Sequence, residues 1–116
     1  MIERRRFLRF ETALNALCEI TSEKFKKSYK VKNISKEGAL VLTDKKLGWG
    51  TEINMSMDVP GDNVPIFVAC QVAWQKDSND DGLYDTGMRF KKIDNSDKGR
   101  LLEYIYSRWL RILDRK

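Results

Sequence analysis

The chain has 116 residues, 41% of them apolar and 34% charged, with 22 Lys and Arg against 17 Asp and Glu. That length fits one domain with one core, and the apolar share excludes a mainly disordered chain. There is no histidine, which removes a His-based triad, a His general base and most zinc sites, so binding ranks ahead of catalysis.

The N-terminal stretch, residues 1–9, holds Arg4, Arg5, Arg6 and Arg9 against Glu3, and is expected to form a flexible basic arm. Charges interrupt the start, MIERRRFLRFETALNALCEI, where a signal peptide would carry its apolar segment. No apolar run approaches the roughly 20 residues of a membrane helix, so a soluble, cytoplasmic protein without membrane insertion is expected. From Phe10 to about Lys92 the chain reads as β, with apolar and β-branched runs cut by turn residues. Strands are predicted near 12–20, 25–33, 38–43, 51–59, 65–76 and 83–91. In the fourth, Ile53, Met55, Met57 and Val59 alternate with polar residues, as one buried sheet face requires. Gly38, Gly48, Gly50, Gly61 and the run Asp77 to Gly82 punctuate the joints, and connections this short favour antiparallel neighbours.

Beyond residue 95 the period changes. Leu101, Leu102, Ile105, Tyr106, Trp109, Leu110, Ile112 and Leu113 recur at steps of three and four, which predicts a helix with an apolar stripe across 95–114. Asp94 to Asp97 supply N-cap candidates, and Arg111, Arg115 and Lys116 suit the C-terminal end. Six short strands leave open edges unless they curl, so the expected fold is mainly β: a six-stranded antiparallel barrel, 10–92, closed by a C-terminal helix packed on the barrel or on a second subunit.

Cys18 and Cys70 lie in apolar segments without CxxC spacing, so both read as buried free thiols of a reducing compartment rather than a disulfide. Asp77-Ser78-Asn79-Asp80-Asp81-Gly82 fits the first half of a calcium loop. Its twelfth position is Met88, where a bidentate Glu is needed, and its flanks read as strands, so a polar hairpin is the better reading and no metal site is expected. Trp74, Trp109 and Phe90 read as core residues, whereas Trp49, between two glycines, is read as capping the barrel or exposed at a partner surface.

Two motifs remain. Arg5-Arg6-Phe7-Leu8-Arg9 fits RxxxR, and Asn33-Ile34-Ser35-Lys36-Glu37-Gly38 fits NxSxxG. In this order, roughly 25 residues apart and on a six-strand pattern, they resemble the signature of the PilZ domain. Val72-Ala73-Trp74, Gly87-Met88-Arg89-Phe90 and the closing helix agree with that resemblance, which spans essentially the whole chain. It implies a non-enzymatic receptor for cyclic di-GMP, with that nucleotide as its ligand and no further cofactor or catalytic residue. Arg5 and Arg9 match the first motif and would hold phosphates and guanine edges through the planar guanidinium fork. Asn33 and Ser35 would offer polar groups to a second guanine or fix the turn, and Gly38 would let backbone come close. Arg4 is a candidate to stack on a second nucleotide.

The basic residues gather at the two ends: 1–9 balance to +3, 95–116 to +3, and the long middle to −1. A near-neutral body argues against a barrel that tracks single-stranded nucleic acid, which uses a long cationic groove. A PilZ-like adaptor working through protein contacts alone is the other alternative, and a protein partner or self-association is expected in either case.

Overall fold

The computed structural model describes residues 10–11, 14–61, 63–79 and 82–114, and the side chains among them except those of 10, 11, 109 and 111–114. Its elements are β1 (Phe10–Glu11), β2 (Asn15–Ile20), β3 (Phe25–Ile34), β4 (Gly38–Thr43), β5 (Glu52–Met57), β6 (Ile66–Asp77), β7 (Tyr84–Ile93) and α1 (Asn95–Asp114). All pairings are antiparallel. The ladder β3-β2-β5-β6-β7-β4 returns to β3, so six strands close into a barrel.

Closure depends on one strand serving two neighbours. Residues 25–30 of β3 pair with β2, while residues 30–34 pair with β4 across an irregularity between Val31 and Asn33. Such a bulge bends and twists a strand, which lets a curved sheet meet itself. The vacated side of β3 is taken by β1, with Phe10 opposite Ile34 and Glu11 opposite Asn33. The Val31 N–H donates to the Leu14 carbonyl at 2.8 Å and carries the pairing across to β2.

The barrel core follows the period-two pattern. Cys18, Ile20, Val31, Val41, Ile53, Met55, Met57, Ile66, Val68, Cys70, Val72 and Met88 are all buried, each removing about 1.5 to 3 kcal/mol worth of apolar surface from water when the side chain is large. Both cysteines are free and buried, and burial pushes the Cys18 thiol up to about 12. Leu101 of α1 is 1% exposed, and Tyr104 and Ile105 pack beside it against the same core. Asp94 caps the helix: its carboxylate accepts from the Ser96 N–H at 3.3 Å and its carbonyl from the Lys98 N–H at 2.8 Å. The Ser96 hydroxyl, which donates to the same carboxylate at 2.6 Å, and the Ser96 N–H hold the Asp94 carboxyl below its ordinary pKa. Asp97 binds the helix to the barrel, accepting from the Phe67 N–H at 3.2 Å.

One end of the interior is polar. Gln75 donates to Thr86 Oγ1 at 2.9 Å, Thr43 Oγ1 at 3.3 Å and the Lys45 carbonyl at 3.0 Å, and accepts from the Leu47 N–H at 2.8 Å. Thr43 and Thr86 are fully buried and bonded to each other. Gln75 faces inward because β6 shifts register between Val72 and Trp74. The same shift corrects the expectation for Trp74, which is 44% exposed rather than core. An extra residue in a strand reverses the in–out parity of everything after it. Phe90 is half-buried against the core, and the side chain of Trp109 lies outside those described.

Candidate functional site

The NxSxxG segment joins β3 to β4, and its geometry explains two of its three fixed residues. Ser35 is 1% exposed. Its N–H donates to the Gly38 carbonyl at 2.9 Å, its hydroxyl donates to the same oxygen at 3.3 Å, and the Glu37 N–H donates to that hydroxyl at 3.3 Å. A Ser side chain bonded on both sides fixes a tight turn where a longer side chain could not fold back. Gly38 lies opposite Arg89 of β7, and a Cβ there would stand 2.2 Å from the Met88 carbonyl oxygen. The glycine is demanded by strand packing, and the Phe90 N–H donating to the Glu37 carbonyl at 2.9 Å seals the turn to β7.

Asn33 is the last but one residue of β3, half-buried, between Glu11 of β1 and Leu40 of β4. It therefore sits in a strand rather than in the turn, and its position is set by two ladders. The chain leading from the arginines runs directly into this pairing. Arg4, Arg5 and Arg9 lie outside the described residues, so only covalent geometry bears on them. Arg9 adjoins Phe10, and Arg5, five residues before Phe10, is at most about 18 Å from it at roughly 3.3 to 3.6 Å per residue.

The register extends Asn33 into a row across the outer face: Asn33 opposite Leu40, Leu40 opposite Gly87, Gly87 opposite Trp74. With strands about 4.8 Å apart, the row is about 14 Å long. Trp74 lies close over the glycine, since a Cβ on Gly87 would meet Nε1 at 2.3 Å and Cε2 at 2.4 Å. A half-exposed indole laid along a sheet presents its π-face outward, and Lys76 stands with its Nζ 5.7 Å from the ring centroid. The adjacent row runs Gly38, Arg89, Gln71. Arg89 is exposed and donates to Gln71 Oε1 at 2.7 Å, while Gln71 donates to the Gly50 carbonyl at 3.4 Å. That chain of bonds orients the guanidinium on the same face as Asn33 and Trp74.

Trp74 and Arg89 are site candidates that residue patterns did not single out. Their two segments agree with the family resemblance, but their meeting is not legible in sequence: a tryptophan and a glycine on different strands match only if they are neighbours, and the bulge that makes them so is not marked by any local residue. Trp49 is 84% exposed on the loop after β4. The loop is well tied, with Gly50 N–H to the Val72 carbonyl at 2.8 Å and Thr51 Oγ1 to the Gly48 carbonyl at 2.6 Å, and Gly50 takes a left-handed φ of 83°. At the Asp77 to Gly82 hairpin, Ser78 N–H donates to the Leu83 carbonyl at 3.0 Å and Gly82 has φ 76°. Among the described residues no three His, Cys, Asp or Glu side chains gather to hold a metal, and no helix is long and apolar enough to cross a membrane.

A small closed antiparallel barrel with a C-terminal helix, carrying polar, cationic and aromatic side chains on one outer face, defines a β-barrel binding module. Residues 3–107 match the PilZ domain family model, and the chain belongs to that family. Three solved structures with the same fold are the MrkH–c-di-GMP complex of K. pneumonia (TM-score 0.82, 17% identity, covering 99% of this chain and 57% of that one), the inhibitor of motility MotI/DgrA of Bacillus subtilis (0.77, 19%, 95% and 53%), and the PilZ domain of YcgR with c-di-GMP from Escherichia coli (0.72, 15%, 97% and 97%). The chain spans a little over half of MrkH and MotI, and nearly all of the isolated YcgR domain. No curated protein sequence matches it.

Proposed function

We propose that this chain is a non-enzymatic receptor for cyclic di-GMP. The observation that supports the reading is the pairing of β1 with β3: Glu11, two residues along the chain from Arg9, lies opposite Asn33. Arg9 is therefore tied by one peptide bond to the strand that runs beside Asn33. Family membership supports the same reading, as do the c-di-GMP complexes of MrkH and YcgR among the structural relatives.

The ligand presents two phosphates and two guanines. Arg5 and Arg9 take the phosphates and the O6/N7 edge of guanine, each through a bidentate fork. Asn33 offers its amide to a second guanine edge. Ser35 and Gly38 serve the site by holding the turn and the approach of β4 to β7. Arg4 stacks on a base or adds charge. Trp74 supplies an aromatic surface about 14 Å along the row from Asn33, and base stacking on such a ring is worth about 1 to 3 kcal/mol. Arg89 adds a cation between them.

In this reading residues 1–116 form one domain: an arm at 1–9, the barrel at 10–92 and the helix at 95–114. Binding draws the arm over the outer face and changes the surface that a partner protein reads. The barrel side of that change passes through β1, which α1 packs against. The two free buried thiols fit a reducing compartment, so we assign the chain to the cytoplasm of a bacterium.

Calorimetric titration with cyclic di-GMP, with GTP and cyclic AMP as controls, tests the proposal. Selective binding is expected, weakened about ten- to a hundredfold by Arg9→Ala, the loss of one bidentate base contact. No heat at high ligand concentration with a folded protein would overturn it and leave the adaptor reading.

A further inference from the structure

Among the described residues, α1 packs one apolar face on the barrel core and exposes a second apolar stripe. Leu101 is buried, and Tyr104 and Ile105 are packed on the core. At 3.6 residues per turn, positions 99, 106 and 110 fall on the far side of the helix from these three, and 102 on the flank between. There Leu102 is 39% exposed, Tyr106 58% and Leu110 41%. Gly99 is exposed on the same side, with nothing within 4 Å of where its Cβ would be, and leaves an open notch in the stripe. A glycine inside an exposed helix lowers helix stability by roughly 1 kcal/mol relative to alanine, so local propensity does not explain it.

The spacing is that of a heptad. Gly99 and Tyr106 take a positions and Leu102 a d position, and in sequence Trp109 and Leu113 continue as d and a. Leu110 is then an e position, which widens the seam. The charged flanks select the partner. Lys98 falls at g and Glu103 at the e of the following heptad, both exposed. In a parallel pair of identical helices, g of one lies beside the next e of the other, five residues on. Lys98 of each copy therefore meets Glu103 of its mate, twice in one dimer and with opposite charges. An antiparallel pair puts g beside g and e beside e, which sets Lys98 and Glu103 against their own kind.

We propose that the chain forms a parallel homodimer through α1, with Leu102, Tyr106 and Leu110 in the seam, Gly99 at its narrow end, and reciprocal Lys98–Glu103 pairs along both sides. The barrels sit on the outer sides of the two helices, because Leu101 and Tyr104, at c and f, face away from the seam, while Ile105 at g packs on the barrel beside it. The seam uses none of the residues assigned to the nucleotide, so the proposal stands or falls separately from the receptor reading.

Sedimentation equilibrium of the full chain, from micromolar to millimolar concentration, is the test. A dimer is expected, and a monomer throughout that range overturns the proposal. Tyr106→Glu should weaken the dimer by about a hundredfold or more, since it sets two carboxylates in the seam; an unchanged dimer overturns it. Lys98→Glu and Glu103→Lys should each weaken it by about tenfold, and combining them should restore it, because each single change turns two attractions into repulsions. Failure of that restoration overturns the parallel arrangement. Leu102→Cys adds a check on direction: under mild oxidation a 102–102 disulfide is expected, because like d positions face each other only in the parallel pair, and its absence refutes that geometry. All these side chains are exposed, so circular dichroism and thermal melting of each variant should match the parent fold.

Discussion

Replacing Gly38 by alanine separates two explanations of the glycine in NxSxxG. In one, glycine keeps space for a ligand; in the other, it lets β4 lie close to β7. The structure favours the second, because an added Cβ would lie 2.2 Å from the Met88 carbonyl oxygen, a backbone atom that cannot turn aside. An ordinary C···O contact is about 3.3 Å or more, so the strands must part by about 1 Å at this point. That movement strains the Phe90–Glu37 bond and the Ser35–Gly38 pair. Overpacking of this kind costs about 1 to 3 kcal/mol and each weakened hydrogen bond about 0.5 to 1.5 kcal/mol. Gly38→Ala should therefore lose roughly 2 to 4 kcal/mol and melt about 10 °C lower. Urea unfolding followed by tryptophan fluorescence and far-UV circular dichroism measures it without ligand. Gly61→Ala is the control: it has φ 84° and nothing within 4 Å, so it carries only the conformational penalty of about 1 to 2 kcal/mol. If Gly38→Ala keeps the parent midpoint and loses only cyclic di-GMP affinity, the packing explanation is wrong.

Trp74→Ala should leave the melting temperature within a few degrees and weaken cyclic di-GMP by about ten- to a hundredfold, read by calorimetry, because the ring stands outside the core. Gln75→Ala should destabilise the barrel by about 2 to 3 kcal/mol in urea, since it removes the four bonds from Gln75 to Thr43, Thr86, Lys45 and Leu47 and leaves only the Thr43–Thr86 and Thr43–Lys45 bonds among them. The Asp44 carboxyl is held below its ordinary pKa by hydrogen bonds from Lys27 and Tyr29. A lowered folded pKa gives stability that is present above the unfolded value, about 3.9, and is lost as pH falls through the folded one. The stability gap between the parent and Asp44→Asn should accordingly close below about pH 4 in acid titrations. Cys18, with its thiol pushed up to about 12, and Cys70, raised likewise by burial, should react with a thiol reagent at pH 8 only as fast as the protein unfolds. Rapid labelling of the native chain would contradict their burial.

Local patterns were enough for most of the barrel. Turn residues and alternation located strands close to their observed bounds, as with Gly38–Thr43, which was bounded by a glycine turn on one side and Asp44 on the other. The helix was legible from its three–four repeat and from Asp94, which does cap it. Ser35 and Gly38 were legible as a turn, although which neighbour required the glycine was not. Alternation states parity inside one strand and carries no information about a bulge, so Trp74 was read as core. The register shift after Val72 turned it outward and brought Gln75 in.

The amino-acid sequence by itself determined the element order from β2 to α1, the buried faces of the regular strands, the helix and the two motifs, but not the short strand β1. All of these are properties of a few consecutive residues, where φ/ψ preference and side-chain period act directly. Only the tertiary structure decided that β3 serves both β2 and β4, that β1 lies beside Asn33, and that Asn33, Leu40, Gly87 and Trp74 form one row. Those facts depend on strand register and barrel closure, which join residues as far apart as Glu11 and Asn33, 22 positions, and Leu40 and Gly87, 47 positions, and no short window of sequence contains them.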